Sequence, residues 1–185
     1  MPNKTLYFVR HGEADFNLMD RVNAHPEVRN NLTVTGKEQA ACCSKELPQS
    51  NIDVIYCSEF PRARQTAEII NKRFEVPIIE DSLINETGAF AFEGKPTSAW
   101  HAAQVPDRLS AVVPDCESYA DMKRRLITFL NKMRSISAEH IVVVSHEEPI
   151  QVMVGILTNT SDAEARSKVI SHCYPIKLAL PQNTH

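Results

Sequence analysis

Ile141-Val142-Val143-Val144, bounded by His140 and by Ser145-His146, is the most continuous β-branched run in the chain. A strand that is apolar at every position offers no face to water, so it reads as a central strand covered on both sides, which favours a parallel sheet between helices. Two more runs share this character. Thr5-Leu6-Tyr7-Phe8-Val9 leads into Arg10-His11-Gly12-Glu13, and Asp53-Val54-Ile55-Tyr56-Cys57 leads into Ser58. Val76-Pro77-Ile78-Ile79 suggests a short strand, and Ile176-Lys177-Leu178-Ala179-Leu180 a last one.

The intervening segments carry helical spacing. Leu32 to about Leu47 is alanine-rich, has Thr33 or Thr35 as its cap, and is stopped by Pro48. Pro61 suits a first helical turn, and Ala63, Ala67, Ile70 and Phe74 follow as a buried stripe. Tyr119, Met122, Leu126, Phe129, Leu130 and Met133 lie on one face of a long amphipathic helix, with Lys123, Arg124 and Arg125 mostly outside that face. Glu147-Glu148-Pro149 opens a helix carrying Ile150, Val152, Met153, Ile156 and Leu157. Strands alternating with helices predict an α/β fold: a three-layer sandwich with a mainly parallel central sheet flanked by helices. Ligands of such sheets collect beyond the C-terminal strand ends, where His11, Ser58 and His146 all fall.

No proline-, glycine- or serine-rich stretch divides the 185 residues, so one domain is expected over 1–185. The formal charge of -3 gives no footprint for nucleic acid or a membrane surface, and any anion site must be local. Met1-Pro2-Asn3-Lys4 leaves no room for a secretory leader before the first strand, and no apolar stretch is long enough to span a bilayer. Five cysteines without paired ligand spacing favour reduced thiols and a cytoplasmic location; Cys42-Cys43 reads as two small helix residues. The histidines have no close-spaced ligand pattern, so no metal or other cofactor is expected. Two connections exceed ordinary length: Ala14 to Asn31, which reads as a functional loop, and an irregular segment of about 81–115, broken by Pro96, Pro106 and Pro114, which reads as a lid.

At a strand end, the imidazole of His11 can attack an electrophile and the fork of Arg10 can grip an anion; a hydrogen-bonded structural histidine is the alternative. Arg62 falls at a helix start, where free N–H groups and the positive dipole end favour an anion, but the local sequence by itself favours a solvated salt-bridge arginine.

Taken together, Arg10-His11-Gly12-Glu13, Leu32-Thr33-Val34-Thr35-Gly36 with Gln39-Ala40, Ser58-Glu59-Phe60-Pro61-Arg62-Ala63-Arg64-Gln65-Thr66-Ala67, Glu86 with Glu93-Gly94, Glu117-Ser118 and Ser145-His146 resemble the motifs of the histidine phosphatase superfamily, the phosphoglycerate-mutase-like proteins. The resemblance spans Leu6 to about Val154. It implies that His11 is the nucleophile that takes the phosphoryl group, that Arg10, Arg62 and His146 form the phosphate pocket, that Asn17 adds a hydrogen bond, and that Glu86 protonates the leaving oxygen. A neutral imidazole is nucleophilic if its other nitrogen donates to a carbonyl, and Glu86 can serve as an acid only if burial raises its pKa.

The implied activity is that of a histidine acid phosphatase-type phosphoric monoester hydrolase acting on a small or medium phosphorylated metabolite through a phosphohistidine. A mutase returning the phosphoryl group to its substrate is the rival, with Arg21 and Arg29 as candidates to grip a second anion; a non-catalytic phospholigand- or partner-binding relative and a protein phosphatase are others. The chain departs from the family pattern at Glu147, where glycine is usual, and in the lid at Phe90 and Phe92. The Glu147 carboxylate either faces the phosphate pocket or points outward or pairs with an arginine.

Overall fold

The computed structural model describes residues 4–48 and 51–181. The reading of Met1-Pro2-Asn3-Lys4 as a start without a leader rests on residues mostly outside that range. In chain order the elements are β1 (Lys4–Arg10), α1 (Asp15–Met19), α2 (Val34–Glu46), β2 (Val54–Cys57), α3 (Pro61–Asn71), β3 (Ile78–Glu80), α4 (Thr97–Ala103), α5 (Tyr119–Ser135), β4 (His140–Ser145), α6 (Glu147–Thr158), α7 (Asp162–Ser167) and β5 (Ile176–Leu180).

The five strands form one sheet in the order β3-β2-β4-β1-β5. β4 pairs in parallel with both β1 and β2, β2 pairs in parallel with β3, and β5 runs antiparallel to β1. The expected three layers are therefore present, and the pleat shows how. Leu6 and Phe8 of β1 and Ile141 and Val143 of β4 join the buried cluster of Leu126, Phe129 and Met153 from α5 and α6. Tyr7, Val9, Val142 and Val144 face the opposite way, onto Ala40, Ala63 and Ala67 from α2 and α3. Adjacent side chains enter opposite layers, so every position of β4 from Ile141 to Ser145 is buried.

Thr33 is the cap of α2, its Oγ1 accepting from the Gly36 amide at 3.0 Å, and the backbone becomes extended at Leu47 before Pro48. The third strand begins at Ile78 rather than at Val76. Asn71, at the end of α3, makes both side-chain hydrogen bonds to the backbone of Val76 (2.8 and 2.9 Å), which ties that residue to the helix and delays the strand. α5 buries all six residues of its predicted stripe.

The segment 81–115 is more regular than its prolines imply, since it contains α4 and short 3-10 turns at Ser82–Ile84 and Phe90–Phe92. The 14–31 connection likewise carries α1. These two segments are stitched together by Val22 N to Lys95 O and Gly94 N to Val22 O, both 2.9 Å, and by Thr97 N to Asp20 O at 3.1 Å. They cover the strand ends as a single wall.

Two motif glycines meet under that wall. A Cβ on Gly12 would strike the Gly36 carbonyl, and a Cβ on Gly36 would strike the Glu13 carbonyl, so the turn after β1 and the start of α2 approach backbone to backbone.

Candidate active site

Strand register brings the two histidines together. Arg10 pairs with Ser145 across β1 and β4, His11 N donates to Ser145 O at 2.9 Å, and Ser58 N donates to Val144 O at 3.0 Å. His11 and His146 thus leave the sheet at the same level, with ring centroids 5.1 Å apart.

The tautomer of His11 follows from its neighbours. Nδ1 lies 2.7 Å from the Gly12 carbonyl, which can only accept, so Nδ1 carries the proton. Nε2 is then bare, and Arg62 Nε donates to it at 3.1 Å. Burial holds the His11 pKa well below 6.5, with the Arg62 guanidinium acting in the same direction. A neutral ring with its lone pair aimed at a guanidinium is what nucleophilic attack on an anion requires.

Arg62 is not the solvated salt-bridge residue that its local sequence allows. It is 4% exposed. Pro61 starts α3 and directs the next side chain inward, where Nη1 donates to Asn23 Oδ1, Nη2 to His146 Nδ1 at 3.0 Å, and the plane stacks 4.6 Å from the Phe60 ring. Because arginine only donates, His146 Nδ1 is an acceptor here. Its Nε2 donates to Ser58 Oγ at 2.8 Å, and Ser58 passes the chain on to Asn85 Oδ1 at 3.0 Å. Burial, with Arg62 next, keeps His146 neutral by holding its pKa well below 6.5. His146 is 0% exposed and sits beneath Arg62 rather than on the cavity surface.

Above this floor is a cavity of about 340 Å3 whose lining includes Arg10, His11, Asn17, Arg62 and Glu86, five of the six predicted site residues. Asn17 uses Oδ1 to cap α1 at the Ala14 amide (2.9 Å), which leaves Nδ2 as its donor. Glu86 Oε2 lies 3.9 Å from Arg62 Nη2 and 3.6 Å from His146 Nδ1. Burial pushes its carboxyl up from 4.5 to about 7, Arg62 opposes the shift, and Glu148 adds to it. Glu86 is held from behind by Arg125, which pairs with Glu117 at 2.6 Å and donates to the Leu83 and Glu86 carbonyls at 2.8 and 3.1 Å. Arg125 lies outside the buried apolar stripe of α5, as expected, but these contacts leave its side chain only partly exposed.

Both readings of Glu147 hold at once. Its Oε2 pairs with Arg10 Nη1 at 2.8 Å, and the residue lines the cavity. Arg10 Nη1 also donates to Ile170 O at 2.8 Å, while Arg10 Nε is buried without a hydrogen-bond partner among the described residues.

Several contributors carried no readable signal. Asn23 positions Arg62, and it is in turn fixed by Asn30 Nδ2 at 3.1 Å. Glu93, noted only for its offset from Glu86, accepts from the Ala24 and His25 amides at 2.6 and 3.0 Å. His172 donates from Nδ1 to the His11 carbonyl at 2.7 Å, bracing the His11 backbone from the far end of the chain. Arg21 reaches the cavity but Arg29 does not, and Phe16 and Trp100, rather than Phe90 or Phe92, supply its phenyl and indole walls. Among the described residues no group of three or more His, Cys, Asp and Glu is arranged to hold a metal ion.

Comparison with known proteins agrees with this geometry. Residues 6–181 match the family described as histidine phosphatase superfamily (branch 1). The chain is 26% identical over 166 residues to the uncharacterized phosphatase PhoE of Bacillus subtilis (strain 168), covering 89% of this chain and 83% of that protein. It is 25% identical over 158 residues to a Proteus mirabilis (strain HI4320) protein named "Probable phosphoglycerate mutase GpmB", covering 82% of this chain and 69% of that one. The alpha-ribazole phosphatase from Shigella flexneri shares the fold, with a TM-score of 0.84 at 20% identity over 94% of this chain and 89% of that chain.

Proposed function

Because the chain belongs to branch 1 of the histidine phosphatase superfamily, we propose that it is a phosphomonoesterase that hydrolyses a small or medium phosphorylated metabolite through a phosphohistidine on His11. The observation that carries this reading is the bare Nε2 of His11, fixed by the Gly12 carbonyl on one side and met by Arg62 on the other.

In the first step a phosphoryl group displaces Arg62 from Nε2, and the guanidinium moves its donors to the phosphoryl oxygens. Nε2 attacks phosphorus as the ester P–O bond breaks, and the Glu86 proton goes to the leaving oxygen, giving the free alcohol. In the second step Glu86, now a carboxylate, takes a proton from water as the water oxygen attacks phosphorus and the P–N bond breaks. Phosphate leaves and Glu86 is again an acid. We assign His146 to orienting Arg62, since its Nδ1 is an acceptor with Nε2 committed to Ser58. It can donate to phosphate only after taking up a further proton.

The mutase alternative needs a second anion grip. Arg21 already donates to the Gly94 carbonyl at 2.5 Å, Arg10 is paired with Glu147, and Arg29 lies off the cavity, so hydrolysis is favoured. We also propose a cytoplasmic location, which the five free thiols support. No described helix is long and apolar enough to cross a membrane.

The test is phosphate release across sugar phosphates, nucleotides, phosphoglycerates and phosphopeptides, with an acid-sensitive, base-stable phosphoenzyme sought by rapid quench. His11→Ala should lose both signals. Absence of turnover and of phosphoenzyme in the wild-type chain across the panel would refute the reading in favour of a phospholigand-binding role.

A further inference from the structure

The cavity floor is built for one anion, and among the described residues each of the three arginines that line the cavity already has a hydrogen-bonding partner. Arg62 is held by His11, His146 and Asn23, and Arg21 by the Gly94 carbonyl. Arg10 meets the Glu147 carboxylate at 2.8 Å, and Glu147 Oε1 accepts from the Ile170 amide at 3.3 Å. These contacts fix the carboxylate at the floor.

Against the three arginines the cavity wall sets Asp20, Glu147 and Glu148 in addition to Glu86. Glu148 is compensated from outside the cavity, by Arg166 at 2.6 Å, and also accepts from Thr87 Oγ1 at 2.5 Å. Glu147 has no such outer partner among the described residues; its cation is Arg10, which belongs to the phosphate floor. Glu147 is also the first residue of α6, where the positive end of a helix would otherwise help to hold anionic substrate groups. That end of the helix therefore already carries a carboxylate.

We propose that Glu147 is a charge filter, which makes this a site for phosphomonoesters whose organic half carries an amine or no charge and which disfavours those bearing a carboxylate or second phosphate. The inference deepens the phosphomonoesterase reading and rests on it for the ligand of the floor. A second anion beside Glu147 meets like charge in a partly desolvated cleft, where repulsion is several times stronger than in water. An amine at the same place meets an attractive partner.

Three phosphonates of similar size, not hydrolysed by phosphoryl transfer to His11, separate the cases: 2-aminoethylphosphonate, ethylphosphonate and phosphonoacetate. Their binding is measured by calorimetry, so the result does not depend on turnover. The expected order of affinity is amine, then neutral, then carboxylate, with the first and last at least tenfold apart. Glu147→Gln should bring that ratio down at least fivefold, chiefly by tightening phosphonoacetate. Equal affinities in the wild-type chain, or a ratio unchanged in Glu147→Gln, would overturn the proposal; the wild-type ranking alone decides it if the variant does not fold. Turnover of p-nitrophenyl phosphate with no ranking among the three sinks the charge filter alone. Failure of all three to bind, with no turnover, sinks it together with the phosphomonoesterase reading.

Discussion

Replacing Glu86 by glutamine should change both catalysis and stability, each with its own pH dependence. Burial raises this carboxyl from 4.5 to about 7, so it is essentially all acid at about pH 5 and roughly one-tenth acid at about pH 8. Burial and the Arg62 guanidinium hold the His11 pKa well below 6.5, so the fall above about pH 7 does not come from His11. Hydrolysis of an alkyl phosphate by the wild-type chain should therefore fall roughly tenfold per pH unit above about pH 7. Glu86→Gln should be slower by about 10²- to 10⁴-fold on such a substrate and should lose that alkaline fall. On p-nitrophenyl phosphate, whose leaving group departs without a proton, the deficit should largely vanish in the burst of nitrophenol from the first step, while steady-state turnover stays slow because glutamine cannot take the proton of the attacking water.

The stability effect has the opposite sign. Below the ordinary carboxyl value both folded and unfolded chains hold the proton, and the buried group costs nothing through titration. As pH rises from 4.5 to about 7 the unfolded chain ionises first, and the folded state loses stability until both are ionised. A shift of that size corresponds to about 3 kcal/mol, and 24% exposure of the side chain trims it to roughly 2 kcal/mol. Glutamine keeps an oxygen for the Thr87 amide and carries no charge. Glu86→Gln should thus melt about 4–8 °C above the wild-type chain above about pH 7, and close to it near about pH 4. A melting-temperature difference that does not vary with pH would refute the buried-acid argument.

Two further substitutions probe the scaffold. Ser58→Ala leaves the buried Nε2–H of His146 without its acceptor, so urea unfolding should show a loss of about 1–3 kcal/mol, and kcat should fall as the tautomer that receives Arg62 is no longer fixed. Gly36→Ala drives a methyl group into the Glu13 carbonyl beside the turn that follows His11; thermal melts should show a loss of about 1–3 kcal/mol or more, with reduced turnover in whatever fraction remains folded.

The layers of the fold were legible because burial on two faces imprints itself locally. Val142 and Val144 enter one layer, Ile141 and Val143 the other, and a run apolar throughout needs no partner to be recognised. The stripe of α5 was readable for the same reason, since 17 residues give its period room to repeat. α1, α4 and α7, with 5, 7 and 6 residues, are too short for any period to establish itself.

The site divides along a similar line. The identities of His11, Arg10, Arg62, Glu86, Asn17 and His146 could be nominated because each stands in a motif, and strand ends put His11 and His146 beyond the same sheet edge. Local sequence could not say that Arg62 turns inward or that His146 lies beneath it. It also could not show that Asn23 and His172, from opposite ends of the chain, brace the floor. Those facts depend on strand order and register, which place residues 51, 84 and 161 positions apart within one hydrogen bond. Glu147 shows the limit most clearly: sequence offered an outward or an inward carboxylate, and only the packing of α6 against β1 made it both the partner of Arg10 and part of the cavity wall. Periodicity is a property of neighbouring residues, and the sequence determined the layers through it; the charge at the floor belongs to side chains that meet only when the sheet is assembled.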